Sequence, residues 1–377
     1  HCHHDGDYYG DGLFWRDGSY PPYPDMDKYD AVIAECHKAG IRVATYFSNK
    51  ELHPSTGEFR DHGSAWGRKD IKGNLRHNFF RGTNEFGVQM CLRSGWLEFL
   101  KFSVDRVLRN HKLDGVYYDW NVALICHNPL HERNGKGSSA EGAGHWDIDE
   151  LIDLMEWTRH RVGPDGLVIV HNTTTPMFVT ENFADYVVAN EWGYGKWKDT
   201  APDLKDLPLE WSLVGARSRG VISYGQIDAQ APRYLHRMFA LEAVVSGVTP
   251  WPASQEIIEL YPMLRRVGDF SSCRFLDWRN RVVFLGQPRC GSAIYSRPSE
   301  AYIVVANLTD APRKVECRVR AEALPYPLSP VKSAVLFGGV GGPTGSGGSP
   351  GWRSLDVRGL GEEGVTIELP ATGAVLI

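Results

Sequence analysis

Two carboxylates in this sequence each follow a short apolar run and precede a tryptophan. Asp119 comes after residues 116–118, Val-Tyr-Tyr, and Glu191 comes after residues 187–190, Val-Val-Ala-Asn. Two carboxylates across a pocket can cleave a glycosidic bond, because one acts as nucleophile or base while the other protonates the leaving oxygen. A single acid among 46 Asp and Glu residues is more often a helix cap or an ion-pair partner. Two acids at matching strand ends, each beside a Trp, favour a catalytic pair.

The segment before Asp119 predicts the elements that hold this carboxylate. Apolar residues recur at intervals of three and four over residues 96–108, which predicts a helix with one apolar face. Asp114-Gly115 marks a tight turn, and the Val and Tyr residues after it favour a buried strand. A helix, a turn and a strand closed by a carboxylate form the half-unit of an α/β barrel, whose chemistry lies at the carboxyl ends of its strands.

The same alternation continues along most of the chain. Helical spacing over residues 27–40, 146–162 and 233–245 is followed each time by an apolar run. Apolar strands that alternate with amphipathic helices are typical of a parallel sheet covered by helices. Residues 1–26 have the pattern of a strand end and a long loop, so the first barrel strand is either missing or contributed from outside the sequence. The predicted strands are 41–48, 116–119, 167–172, 185–192, 220–225 and 247–252.

A change of pattern near Asp269 predicts a second domain. Beyond it, short apolar runs are separated by turns, which is typical of an all-β sandwich. The glycine-rich segment 338–351 is either a flexible loop within that domain or partly disordered. The predicted fold class is therefore α/β, with a (β/α)8 TIM-like barrel at residues 1–268 and a small all-β sandwich domain at residues 269–377.

The composition excludes some classes of partner. The 377 residues carry a formal net charge of −5 with 23% charged side chains, so we expect no basic surface for nucleic acid or for a membrane. No apolar stretch approaches the roughly 20 residues that a membrane helix needs. The chain begins at His1 without a Met or a signal peptide, as a processed or excised piece would, and its compartment is not readable.

Residues near the predicted strand ends suit a ligand that is rich in hydroxyl groups. Tryptophans offer flat apolar faces to a sugar ring, while amides, imidazoles and ammonium groups bind hydroxyls. Each such residue taken alone is more often a packing or surface residue. Glu51 is the main alternative to Asp119 and Glu191 as a catalytic residue, because it follows the strand that ends at Ser48. The candidate substrate-binding residues are His4, Asp5, Trp15, Tyr46, Lys50, Glu51, Trp120, Asn121, His171, Asn172, Trp192, Tyr224 and Trp251.

The cysteines and histidines do not form a familiar metal-binding pattern. Seven Cys residues are scattered without a CxxC pair, so neither a zinc knuckle nor a disulfide framework is predicted. Residues 1–5, His-Cys-His-His-Asp, contain the His-x-His that opens metal-dependent amidohydrolase barrels, but residues 247–252 lack the Asp that those barrels place on the last strand. We therefore expect no metal and no cofactor, and a ligand-facing position for His4 and Asp5.

Four features occur together in this sequence. They are Tyr-Tyr-Asp-Trp-Asn at 117–121, a second acid two strands later, Asp-Gly-Ser-Tyr-Pro-Pro at 17–22 before a helix, and a small β domain after the barrel. Together they resemble glycoside hydrolases of the α-galactosidase-like clan and the related endo-α-N-acetylgalactosaminidase-type barrels. The resemblance implies that Asp119 is the nucleophile at the end of the fourth strand and that Glu191 is the acid/base after the sixth.

Two positions depart from the α-galactosidases themselves. Those enzymes use Asp as the second acid and usually have Lys two residues before the nucleophile. This chain has Glu191 and Tyr117 at these positions, and the glutamate is closer to the N-acetylgalactosaminidase-type relatives.

The leading hypothesis is a retaining glycosidase that acts on an oligosaccharide or glycoconjugate, with no nucleic acid and no membrane as partner. Retention predicts a carboxyl separation of about 5–5.5 Å, and inversion about 6.5–9.5 Å. The alternatives are a non-catalytic carbohydrate-binding barrel and a metal-dependent amidohydrolase-like hydrolase that uses His1, His3 or His171. The monosaccharide, the linkage and exo or endo action depend on loops such as 55–93 and 122–144, whose sequences carry no readable code.

Overall fold

The computed structural model describes residues 26–54, 56–80, 84–131, 144–172, 175, 177–192, 222–227, 231–326, 334–337, 352–355, 360 and 363–377. Contacts between residues divide the chain into two compact units, His1–Val187 and Val188–Ile377. No helix within the described ranges combines the length and the apolar character that crossing a bilayer requires.

Helices and short strands alternate along the first unit. The first helix has basic residues in its last turn and an acid in its first, which suits the helix dipole. The elements are, in chain order, α1 (Met26–Lys38), β1 (Ala44–Ser48), β2 (Glu51–Leu52), α2 (Gly57–Trp66), β3 (His77–Phe80), β4 (Asn84–Gln89), α3 (Trp96–Asn110), β5 (Gly115–Asp119), β6 (Ile125–Cys126), β7 (His145–Trp146), α4 (Ile148–Val162), β8 (Leu167–His171), α5 (Phe178–Glu181) and β9 (Tyr186–Trp192), in which the boundary to the second unit falls.

Strands β1, β5 and β8 lie side by side and run parallel. Ser48 of β1 is opposite Asp119, and Gly115 is opposite Leu167 of β8. The first four residues of β5 are buried, as expected for a central strand of Val and Tyr. A Cβ at Gly115 would lie 1.9 Å from the Leu167 carbonyl oxygen, so only glycine allows this close approach. The carboxyl ends of the three strands therefore meet at one edge of the sheet.

Helix α3 packs its apolar face into the interior of the first unit. Trp96, Leu100 and Val104 are fully buried along that face. The indole Nε1 of Trp96 also donates a hydrogen bond of 2.9 Å to the carbonyl oxygen of Asn49. The helix therefore fixes the backbone just beyond the end of β1.

Short antiparallel strands occupy segments in which the sequence predicts long loops. Strands β2, β4 and β3 form a three-stranded sheet in that order. Strands β6 and β7 pair with Ile125 opposite Trp146 and Cys126 opposite His145. These two small sheets follow the carboxyl ends of β1 and β5 along the chain, so they belong to the side of the parallel sheet on which a barrel places its chemistry.

The second unit begins with helices and continues as antiparallel strands. Its β10 and β11 pair in parallel, with Tyr224 opposite Thr249. The elements are β10 (Ile222–Ile227), α6 (Arg233–Val245), β11 (Thr249–Pro250), α7 (Gln255–Ile258), α8 (Tyr261–Val267), β12 (Arg274–Leu276), β13 (Val283–Leu285), β14 (Cys290–Arg297), β15 (Glu300–Asn307), β16 (Arg313–Val319), β17 (Ala334–Phe337), β18 (Trp352–Leu355), β19 (Val365–Leu369) and β20 (Ala374–Leu376).

Two hydrophobic clusters hold the second unit together. One joins a six-stranded sheet, in the order β12-β14-β15-β20-β17-β18, to the three-stranded sheet β13-β16-β19. The other joins α6 and α8 to the side chains of β14, β15 and β20. Because these helices share a core with the antiparallel strands, they belong to the second unit. The boundary between the two units, at Val188, therefore lies well before residue 268. The domain boundary at 268/269 stays a prediction of where the pattern of elements changes.

The predicted mixed α/β class is confirmed, since parallel strands with helices precede antiparallel sheets along the chain. Among the residues that the structure describes, the sheets are separate and no closed eight-stranded barrel is present. The closed barrel and its sandwich partner therefore stay predictions.

Candidate active site

The Asp119 carboxylate lies at the end of β5 and is held by groups from three neighbouring segments. Tyr46 Oη donates a hydrogen bond of 2.8 Å to Asp119 Oδ2. His171 Nδ1 lies 3.0 Å from Asp119 Oδ1, and the backbone N–H of Trp120 donates to the same oxygen at 2.8 Å. The Asp119 side chain retains 25% of its exposure, so the carboxylate is oriented by the protein and still open to a ligand.

The parallel sheet explains why these side chains meet. Side chains alternate between the two faces of a strand, so Tyr117 and Asp119 share one face of β5. The rings of Tyr46 and Tyr117, which are opposite each other on β1 and β5, stack with centroids 5.6 Å apart. Tyr117 Oη lies 2.7 Å from His171 Nδ1, at the end of β8. One face of three adjacent strands thus supplies the surroundings of the carboxylate.

The same contacts determine the protonation of Asp119. Burial alone would raise the pKa of its carboxyl group, but the charge and hydrogen bond of His171 act in the opposite direction. With the hydrogen bonds from Tyr46 and the Trp120 amide, they hold the pKa of Asp119 below its usual value. The group is therefore an anion at neutral pH, as a nucleophile requires.

Trp120 turns the chain sharply after the carboxylate. Its φ of 50° lies in the left-handed region, which costs a non-glycine residue roughly 1–2 kcal/mol. The next residue, Asn121, donates its backbone N–H to the carbonyl oxygen of His171 at 2.8 Å. This bond closes the turn against the end of β8 and places the Asn121 amide beside the Asp119 segment.

Three asparagines follow the ends of the three parallel strands, and all are buried. Asn49 Nδ2 donates to Asn121 Oδ1 at 2.7 Å, and Asn172 Nδ2 donates to Glu181 Oε1 at 2.6 Å. Asn49 Oδ1, Asn121 Nδ2 and Asn172 Oδ1 have no hydrogen-bond partner within the described part of the chain. A buried polar atom without a partner is costly, and hydrogen bonds to a ligand would remove that cost.

Lys50 and Glu51 lie in buried polar networks beyond the end of β1. Lys50 Nζ forms an ion pair of 2.7 Å with Asp147 Oδ2, and both side chains are excluded from solvent. Glu51 accepts hydrogen bonds from Ser48 Oγ at 3.2 Å and from the amide of Asn78. The charge of Lys50 is thus matched by Asp147, and its part in substrate binding stays a prediction.

The remaining predicted residues are described only in part. His4, Asp5 and Trp15, with His1 and His3, lie outside the described residues. Glu191 and Trp192 are on β9 by their backbone, and their side chains are outside the description. In the second unit, the rings of Tyr224 and Trp251 meet edge to face with centroids 5.9 Å apart. Trp120 is half-buried beside Asp119.

Some residues of this region were not singled out from the sequence. Asn49 follows the predicted strand 41–48 directly, and that position was a usable signal. Asp147 precedes α4, where an Asp has the ordinary pattern of a helix cap. No sequence signal distinguished it as the partner of Lys50.

A second group of polar side chains, Cys91, Cys126, His131 and His145, was also not singled out. One ligand atom from each lies within 4.8 Å of those of the other three. A hydrogen bond from Cys91 lowers the pKa of Cys126, and the same bond, with burial, raises the pKa of Cys91. Burial lowers the pKa of His145. The group combines sulfur and nitrogen donors of the kind that bind a metal ion.

One protein-family model matches part of this sequence. The model of a domain of unknown function, DUF6259, matches residues 10–189. No functionally curated protein matches the chain in sequence.

Comparison with solved structures gives enzymes that act on glycosidic bonds. A maltogenic α-amylase, AmyB, from Thermotoga neapolitana has a TM-score of 0.59 at 12% identity, over 96% of this chain and 83% of its own. A debranching enzyme from Nostoc punctiforme has a TM-score of 0.58 at 9% identity, over 99% and 83%. A cycloisomaltooligosaccharide glucanotransferase from Paenibacillus sp. has 0.59 at 10% identity, over 93% and 75%. The chain therefore has a glycoside-hydrolase-like fold, and the narrower clan stays a prediction.

Proposed function

We propose that this chain is a glycoside hydrolase that cleaves an O-glycosidic bond with two carboxylates and retains the anomeric configuration. The observation that carries the proposal is the Asp119 carboxylate, which is kept ionised at the end of a parallel strand by His171 and Tyr46. The glycoside-hydrolase-like fold supports it, because such folds place their chemistry at the carboxyl ends of parallel strands. A closed barrel followed by a β sandwich is part of the same proposal.

The proposed reaction has two steps. Asp119 attacks the anomeric carbon while Glu191 donates a proton to the leaving oxygen, so that a glycosyl ester forms and the aglycone departs as an alcohol. Glu191 then takes a proton from water, and the resulting hydroxide attacks the anomeric carbon and releases Asp119. The sugar thus undergoes two inversions, which together give net retention.

Buried amides beside Asp119 support a polyhydroxylated substrate. Asn121 Nδ2 is a donor and Asn49 Oδ1 an acceptor, and both are without partners within the described residues. A sugar hydroxyl both donates and accepts, so it can satisfy groups of either kind. In this proposal Asn49, Asn121 and Asn172 bind sugar hydroxyls, while Lys50 holds the end of β1 through Asp147.

A screen over aryl α- and β-glycosides, followed by NMR of the first product formed, tests the proposal. We expect turnover of one sugar class, with the first product in the same anomeric configuration as the substrate. A first product of opposite configuration would make the mechanism inverting. Sugar binding without any turnover would instead support a carbohydrate-binding protein.

Replacing Tyr46 with Phe tests the hydrogen bond to the carboxylate. The Tyr46 hydroxyl donates to Asp119 and so stabilises the anion, and its loss should raise the pKa of Asp119. We therefore expect the acid limb of kcat/KM to move to higher pH and kcat/KM to fall by about 10-fold.

Tyr118→Phe is the matched control, because Tyr118 is on the other face of β5. Its hydroxyl lies 2.8 Å from Thr158 Oγ1 of α4. We expect this variant to keep the wild-type acid limb. An acid limb that stays in place in Tyr46→Phe would contradict the assigned role of the hydrogen bond.

A further inference from the structure

Four potential metal ligands converge in the first unit, on β6, on β7 and in the segments that follow β4 and β6. Cys91, Cys126 and His131 are buried and His145 is half-buried, and one donor atom of each lies within 4.8 Å of the other three. Among the described residues this is the group of His, Cys, Asp and Glu side chains whose geometry could hold a metal ion.

Secondary structure brings these residues together from separate segments. Cys91 comes two residues after β4 ends at Gln89. Cys126 and His145 are opposite each other in the β6–β7 pair. His131 ends a 3-10 helix, Pro129–His131, that follows β6. Two of the four positions are thus fixed by strand pairing, and the cluster does not depend on a single mobile loop.

The distance between one sulfur and one nitrogen of the group is close to that in tetrahedral coordination. Cys126 Sγ and His131 Nδ1 are 3.4 Å apart. With a Zn–S bond of about 2.3 Å and a Zn–N bond of about 2.05 Å at a tetrahedral angle, sulfur and nitrogen would be separated by about 3.6 Å. Two thiolates and two imidazoles are a usual ligand set for structural zinc, and this set is disfavoured for Mg²⁺ or Ca²⁺, which prefer oxygen.

Groups behind the ligands fix their orientation. His131 Nε2–H donates to the carbonyl oxygen of Ala65 at 2.7 Å, which leaves the lone pair of Nδ1 facing Cys126. The backbone N–H of Asn128 donates to Cys126 Sγ at 3.4 Å. His145 Nε2 is buried and has no hydrogen-bond partner in the described segments. Hydrogen bonds between a ligand side chain and the backbone, in either direction, are characteristic of metal sites.

We propose that Cys91, Cys126, His131 and His145 bind one zinc ion with a structural role. Four protein ligands leave no open coordination position, which distinguishes a structural site from a catalytic one. The ion would join the segment after β4 to the β6–β7 pair. Asp147 follows the β6–β7 pair directly and accepts a hydrogen bond of 2.8 Å from the Leu124 backbone. The ion would therefore also stabilise the position of Asp147, which forms the ion pair with Lys50.

Metal analysis of the purified full-length chain tests this proposal, and it does not depend on the proposed glycosidase activity. The protein is produced in zinc-supplemented medium, purified without chelator and desalted before elemental analysis. We expect about one zinc ion per chain, and a fall to below about one-fifth of that value in Cys126→Ser and in His145→Ala. Cys290→Ser, which removes a thiol in the second unit, should keep the full zinc content.

Cobalt exchange on the wild-type chain covers the case in which the cysteine variant does not fold. Tetrahedral cobalt bound by two thiolates gives strong visible absorption together with sulfur-to-cobalt charge transfer in the near ultraviolet. Titration with an organomercurial should release the zinc as the two cysteines react. Both results would support the site.

Three results would overturn the proposal. The first is a zinc content near zero in the wild-type chain together with no tetrahedral cobalt spectrum. The second is a zinc content in Cys126→Ser equal to that of the wild type. The third is a disulfide between Cys91 and Cys126 in the protein as first isolated from zinc-supplemented medium, found by mass spectrometry without reduction.

Discussion

Asp119→Asn should lower kcat/KM on the best aryl glycoside by about 10³-fold or more, while the folded structure and substrate binding are kept. Asn has the shape of Asp but carries no charge, and it cannot form the glycosyl ester that the proposed reaction requires. The single side-chain oxygen of Asn can still accept one of the two hydrogen bonds, either the one that Tyr46 donates to Oδ2 or the one that the Trp120 backbone donates to Oδ1. Steady-state kinetics, calorimetric binding and circular dichroism together separate loss of chemistry from loss of fold.

Asp114→Asn provides the matched control, because Asp114 precedes the same strand at its opposite end. Its carboxylate accepts a hydrogen bond of 2.6 Å from the Val43 backbone and lies 2.8 Å from His37 Nε2. We expect this variant to lose some stability and to keep kcat/KM within about threefold of wild type. Near-native turnover in Asp119→Asn would remove Asp119 from the mechanism.

Lys50→Met should lower the stability of the first unit by about 3–5 kcal/mol. Met fills a similar volume, but it leaves the Asp147 carboxylate buried without its partner at 2.7 Å. Breaking a buried pair from one side is costly because the remaining charge stays out of water. For a unit of this size the loss corresponds to about 6–20 °C in the melting temperature, which differential scanning calorimetry can measure.

The control for Lys50→Met is the same substitution at a partly exposed ion pair. Lys101 Nζ lies 2.8 Å from Asp153 Oδ2, and more than half of the Asp153 side chain is exposed. Lys101→Met should cost no more than about 1 kcal/mol. Equal losses of stability in the two variants would contradict the description of Lys50 and Asp147 as a desolvated pair.

Local sequence patterns predicted the elements around Asp119 well. Residues 96–108 predicted α3, which the structure extends to Asn110, and the Val-Tyr-Tyr run predicted the strand that ends at Asp119. Tyr46 and His171 were selected separately as strand-end residues, and the structure places both against the same carboxylate. The selection of these two residues succeeded because neighbouring parallel strands bring their carboxyl ends together. Residues near the ends of such strands therefore lie close to one another.

Features that depend on distant pairing were not predictable in this way. Lys50 was selected as a substrate-binding residue, which stays a prediction, and only the fold shows that it pairs with Asp147, 97 residues away. The cluster of Cys91, Cys126, His131 and His145 lacks a CxxC pair, because the pairing of β6 with β7 brings the ligands together in place of sequence proximity. Glu191 was selected by the same strand-end argument as Asp119, and its role stays a proposal.

Covalent trapping identifies the carboxylate that attacks the anomeric carbon. The wild-type chain is incubated with a fluorinated, activated glycoside of the sugar that it hydrolyses, and the labelled protein is digested and sequenced by mass spectrometry. Fluorine slows both steps, and the good leaving group keeps the first step faster than the second, so the glycosyl ester accumulates. We expect one sugar per chain, bound to Asp119. A label on Glu51 or another carboxylate, or active enzyme that inverts the anomeric configuration and takes up no label, would contradict it.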